Sequence, residues 1–168
     1  SNSISSSHNY ITINRGSKDG IKPEMGIIDQ NGIVGTVDVV GPHASRVISL
    51  LNPQLRLSCK VKGTDSFGSL VWDGKSPYFA QLEEMPRHME YHEGDTIVTS
   101  GYSSVFPEGI IVGTIDSYKK DVSDNFLSLK VKLTTDFTQL STVRAINSEI
   151  KAQIDALNDM NQRKEEDK

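Results

Sequence analysis

Serines beside glycine are the first residues in this chain that could do chemistry. In "TSGYSSVFPEGIIVGT", residues 99–114, Ser103 and Ser104 follow Gly101, and His43, His88 and His92 elsewhere could supply a base. A serine nucleophile needs an oriented imidazole and backbone donors for the oxyanion. "GYSSV" lacks the second glycine of a G-x-S-x-G elbow, and it does not join a strand to a helix. The serines are therefore read as solvating a loop, and no catalytic residue is assigned. A serine hydrolase built on Ser103 or Ser104 stands as the alternative.

Metal chemistry fares no better. His88 and His92 are four apart in "RHMEYHEG", with Glu90 between them. That spacing shares a face on a helix or a strand. Pro86 and Gly94 work against a helix there, and the stretch is read as a solvated polar face with no metal. His43 in "GPHAS" reads as a turn residue. Cys59 is the only cysteine, so the chain can form neither an internal disulfide nor a cysteine-based metal site. No P-loop occurs, and no G-x-G-x-x-G follows a strand, so no cofactor is expected. Glu83 and Glu84 are adjacent, which on a strand points them to opposite faces and rules out a glycosidase pair. A net charge of −4 supplies no field for nucleic acid, and the basic residues alternate with apolar ones instead of clustering with aromatics. These exclusions leave a binding or scaffolding module.

For such a module the informative residues are apolar ones in turns. Tyr102, Val105, Phe106 and Pro107, with Ser103 among them, form that set, and interfaces favour aromatic anchors on rigid supports. Tyr102 is read as a contact residue. Val105 and Phe106 have two readings, as part of the contact or as a plug folded back on a barrel end.

The elements that must position these residues are strands. "LRLSCKVK" places Leu55, Leu57, Cys59 and Val61 on one face, and "LSLKVKL" does the same with Leu127, Leu129, Val131 and Leu133. Strict period-two alternation marks half-buried antiparallel strands. Shorter strands fit "YITIN", "MGIID", "GIVGTVDVV", "SRVISLL", "GSLVWD", "YFAQLEE", "DTIVTS" and "GIIVGTIDSY", separated by Gly- and Pro-bearing turns. The fold class is all-β, a barrel or sandwich. Cys59 and Trp72 are expected in its core. The tail differs: Ile150, Ile154 and Leu157 form one narrow helical stripe, followed by "QRKEEDK", which is expected to be disordered. The opening "SNS" reads as a cloning leftover, and the chain as an excised piece of a longer protein.

One motif occurs twice. "DQNGIVGTVD" and "PEGIIVGTID" align on Val-Gly-Thr, so residues 34–38 match residues 112–116. This reads as a duplicated hairpin, with Gly32, Gly35, Gly109 and Gly113 as structural turn or close-approach positions. Similar hairpins are expected to pair. The expected division is therefore a linker at 1–9, a discontinuous main barrel from 10–50 and 94–147, a smaller second β unit at 51–93, and the tail at 148–168.

The chain resembles the bacterial rod shape-determining protein MreC family. The resemblance rests on "INRGSKDGIKPEMGIIDQNGIVGTV", on "GDTIVTSGYSSVFPEGIIVGTI" and on the pattern of "SRVISLLNPQLRLSCKV". Glu24 and Gly26 depart from it, standing where that family more often has Gly and Pro. The resemblance implies two small β-barrels similar to those of trypsin-like serine proteases, without a catalytic triad. It also implies a periplasmic, extracytoplasmic domain of a single-pass inner-membrane protein, anchored by an N-terminal helix outside this sequence. The implied role is a non-catalytic scaffold of the cell-wall elongation machinery. Its implied partners are itself, the elongation penicillin-binding transpeptidase and the MreD/MreB-linked membrane complex. A peptidoglycan-binding module is a further alternative.

Overall fold

The computed structural model describes residues 9–103, 105–119 and 125–166. Eleven strands precede one helix: β1 (Tyr10–Ile13), β2 (Gly26–Asp29), β3 (Gly32–Val40), β4 (Ser45–Ser49), β5 (Leu57–Val61), β6 (Phe67–Val71), β7 (Phe79–Pro86), β8 (Thr96–Thr99), β9 (Ile111–Lys119), β10 (Phe126–Leu133), β11 (Arg144–Ile146) and α1 (Ser148–Glu166). The alternating stretches bury the residues their pattern selects. Leu57, Cys59 and Val61 on β5 face the core, as do Leu127, Leu129, Val131 and Leu133 on β10. Trp72 is buried too, its indole N–H donating to the Ser76 carbonyl at 2.8 Å.

Pairing separates two units. Strands β1-β4-β3-β2-β11 form an open five-stranded sheet, while β10-β7-β6-β5-β8-β9 close into a barrel. The expected division of residues 10–50 plus 94–147 against 51–93 does not match this. β8 pairs with β5, and β10 bridges β7 and β9, so residues 94–133 belong with the stretch expected to stand alone. The physical reason is local. Each copy of the repeated hairpin pairs with its own next strand, β2–β3 with β4 and β9 with β10, and not with its distant duplicate. Only β11 returns across the chain, closing on β2. Of the two barrels expected, one closes; the other unit is an open sheet among the described residues.

The ends differ from expectation as well. Asn9 is no linker residue: it is buried, and its carbonyl accepts from Ser49 N–H. Residues 1–8 lie outside the described ones. The helix runs on through Glu166, so "QRKEE" is helical where disorder was expected; Gln, Arg, Lys and Glu are all good helix formers. Leu157 is exposed on it. The side chains of Ile150 and Ile154 lie outside the description.

The repeat is real in three dimensions, and it is larger than the sequence suggested. Ile27 opposes Gly35 in the first hairpin as Ile97 opposes Gly113 in the second. A Cβ on Gly35 would stand 2.1 Å from the Ile48 carbonyl oxygen, and one on Gly113 would stand 2.2 Å from that of Lys132. Both glycines let the next strand cross close over a bulge. The turns leading in also match. Met25 N–H donates to Lys22 and Asp95 N–H to His92, while Val37 N–H reaches Met25 and Ile115 N–H reaches Asp95. The left-handed position of that turn is Glu24 (φ 66°) in one copy and Gly94 (φ 87°) in the other. Gly32 and Gly109 are not equivalents: Gly32 lies against the Ile111 carbonyl, whereas Gly109 has open space around it.

Candidate interaction surface

The copies part company between their strands. Asp29 and Thr99 end the first strand of each hairpin and do the same work. Asp29 Oδ1 accepts from Asn31 and Gly32 N–H across a tight turn. Thr99 Oγ1 accepts from Ile110 N–H at 2.9 Å and donates to the Pro107 carbonyl at 2.6 Å, closing the root of a much longer loop, residues 100–110. Ser100 ties this root sideways to β5, its N–H to the Ser58 carbonyl and its hydroxyl to the Ser58 hydroxyl at 2.7 Å. Lys60 on β5 pairs with Glu108. Within the loop, Tyr102 N–H donates to Ser100 Oγ and Val105 N–H to Ser103 Oγ. Side-chain acceptors bonding the backbone two residues on are the chemistry of a defined turn.

This scaffolding splits the apolar set. Phe106 is 3% exposed, Pro107 is buried and Val105 is half-buried against the core. Tyr102 is 71% exposed. Its ring meets the ring of Phe67 edge-on, centroids 4.7 Å apart. Phe67 comes from β6, opposite Lys60, on the outward face of the barrel. Sequence reasoning missed it, yet period-two phase could have found it: with Leu70 inward, Phe67 and Ser69 point out. Tyr102 and Phe67 thus form an aromatic platform beside Lys60, which pairs with Glu108. An exposed ring forfeits the roughly 2 kcal/mol its burial would contribute, which a partner covering it would recover.

The other candidate residues do not gather here. Ser103 spends its oxygen on the Val105 N–H, and Ser104 lies outside the described residues. His43 and His88 are exposed on separate turns, while His92 stands between Glu90 at 3.5 Å and Asp95 at 3.6 Å. That cluster borders a polar cleft of about 440 Å³ lined by Lys62, Thr64, Ser66 and Tyr91. Tyr91 is buried with its hydroxyl on the Pro86 carbonyl, so it offers no open ring face for stacking a sugar. Burial raises its pKa, and a hydrogen bond with Ser66 opposes that shift. Among the described residues no group of three His, Cys, Asp or Glu could hold a metal ion. Burial pushes the Cys59 thiol up to about 12, which leaves it unreactive at neutral pH.

Comparison with known proteins agrees with this architecture. Residues 1–147 match the family described as rod shape-determining protein MreC, barrel core. The cell shape-determining protein MreC of Listeria monocytogenes is 28% identical over 148 residues, which is 86% of this chain and 50% of that protein. The chain therefore spans half the length of this relative. A solved MreC structure from the same organism superposes with a TM-score of 0.77 at 29% identity, covering 83% of this chain and 68% of that one. A complex between the penicillin-binding protein PBP2 and MreC from Helicobacter pylori shares the fold, with a TM-score of 0.59 at 18% identity over 70% of this chain and 73% of that one. With a family match across the whole β body, this chain belongs to the MreC family of rod shape-determining proteins.

Proposed function

We propose that this chain is a non-catalytic scaffold of the cell-wall elongation machinery, and that it binds the elongation penicillin-binding transpeptidase through the Tyr102–Phe67 platform. The observation that carries the reading is an exposed aromatic pair on a loop pinned at its root, in the hairpin copy that alone has such a loop. Pre-ordered aromatic anchors bind without first losing loop entropy. The complex of the Helicobacter pylori relative with PBP2 supports the choice of partner class. A periplasmic location and links to the MreD/MreB membrane complex follow from family membership as part of the same proposal. Self-association has separate support: the open sheet leaves β1 and β11 with one hydrogen-bonded neighbour each among the described residues, and such edges pair with other chains.

Titration of the chain with the soluble ectodomain of an elongation transpeptidase tests the reading. Saturable binding with Kd on the order of micromolar is expected. Absence of binding would overturn the partner, and stoichiometric labelling of Ser103 by a serine-reactive phosphonate would overturn the non-catalytic role. Saturable binding of peptidoglycan fragments at the cleft near Tyr91 would replace the partner with a glycan.

A further inference from the structure

Phe106 is the one aromatic of the loop that faces inward, and its ring reaches the open sheet. A Cβ on Gly26 of β2 would stand 2.4 Å from Phe106 Cε1 and 2.7 Å from Cδ1, so the ring lies directly on the bare backbone of the open sheet. The same seam holds two more close contacts. Thr135 Oγ1 donates to the Ile33 carbonyl at 2.7 Å, and a Cβ on Gly32 would meet the Ile111 carbonyl oxygen at 2.6 Å. Besides the Thr99, Ser58 and Lys60 ties to the barrel, the loop therefore has a separate anchor on the sheet, the Phe106 seat. Tyr102 lies between the root and that seat, with left-handed glycines at Gly101 (φ 81°) and Gly109 (φ 91°). The seat therefore limits where the middle of the loop can be.

We propose that Phe106 and Gly26 are positioning residues, through which the sheet holds Tyr102 against Phe67 and so sets partner affinity on the barrel. This rests on the platform being the partner surface. It adds that the surface is assembled across the seam and is not a property of the barrel alone.

A size swap tests it. Gly26→Ala places a methyl where the ring atoms stand, and Phe106→Leu removes the nearest of them, Cε1, together with Cζ. Each single variant is expected to raise amide hydrogen exchange across residues 100–107 tenfold or more. Each is also expected to remove the nuclear Overhauser contacts between the Tyr102 and Phe67 rings, and to weaken transpeptidase binding about tenfold. The double variant Gly26→Ala with Phe106→Leu is expected to recover all three, because the new methyl occupies the vacated space. Because the two residues touch, stability is expected to be coupled as well, so the ring contacts and the exchange of the loop, not the thermal midpoint, are the deciding readouts. If Gly26→Ala does not fold, Phe106→Leu alone carries the test, with Tyr102–Phe67 ring contacts as its readout. Unchanged exchange and ring contacts in a folded variant overturn the proposal, as does unchanged affinity beside a loosened loop. Wild-type chain that binds no transpeptidase overturns the functional reading, while the ring contacts still decide whether the sheet positions the loop.

Discussion

The two hairpins of this chain are the same structure carrying different cargo. In both, a strand passes a left-handed turn and pairs with a longer strand whose glycine admits the crossing of the next strand. In both, a polar side chain at the strand end caps the backbone beyond it. The first copy then turns at once through Gln30 and Asn31. The second holds residues 100–110 between its strands and puts an exposed tyrosine at the outside and a buried phenylalanine at the seam. What the copies share is explained by folding. What they do not share is where the proposed contact with another protein is placed.

If the shared positions are structural, removing them should cost the same in either copy. Gly35→Ala and Gly113→Ala each drive a methyl into a backbone carbonyl that cannot step aside. Each should lose roughly 3 kcal/mol or more in urea unfolding. A large loss in one and none in the other would break the equivalence.

The caps offer a finer contrast. Thr99→Val leaves the buried Ile110 N–H and Pro107 carbonyl without this partner, at a cost of roughly 2 kcal/mol. Asp29→Ala should cost less, about 1 kcal/mol, because it also removes a buried carboxylate oxygen, Oδ2, that has no hydrogen-bond partner. Cys59, opposite Thr99 across β5 and β8, reports on this end of the barrel. Its thiol should resist a thiol reagent at pH 8 in the wild type and label faster in Thr99→Val. Its folded pKa of about 12 lies above the ordinary 9.0, so the unfolded chain loses that proton first. The contribution of this group to stability is therefore fully present below pH 9 and declines as pH rises from there towards 12. Unfolding midpoints across that range check the sign.

The turns should respond in the opposite sense. Glu24 holds a left-handed backbone that Gly94 occupies without strain in the second copy, so Glu24→Gly should stabilise by about 1 kcal/mol. A thermal midpoint that falls would show that the Glu24 side chain contributes more than its backbone costs.

How much of this was legible follows from what each signal encodes. Period-two alternation located β5 and β10 because burial on one face is written residue by residue. The repeat announced itself through Val-Gly-Thr, and Gly35 and Gly113 stand at matching close approaches within it. The division of the chain did not follow, since the pairing of β8 with β5 leaves no local mark, and likeness between hairpins says nothing about whether they share a sheet. Tyr102 was readable as an apolar residue in a turn with no local reason to be there. Period-two phase marks Phe67 as outward, but its pairing with Tyr102 across the loop leaves no local mark, and Phe106 stayed ambiguous because its seat, Gly26, is eighty residues away.

The smallest expected effect on stability belongs to the platform itself, and it carries the central claim. Titrating wild type and Tyr102→Ala with the transpeptidase ectodomain, beside their thermal midpoints, tests that claim directly. Binding should weaken at least tenfold, about 1.4 kcal/mol, with the midpoint unmoved. Equal affinity for both proteins, or a variant whose midpoint collapses, would contradict a contact surface mounted on a structural repeat.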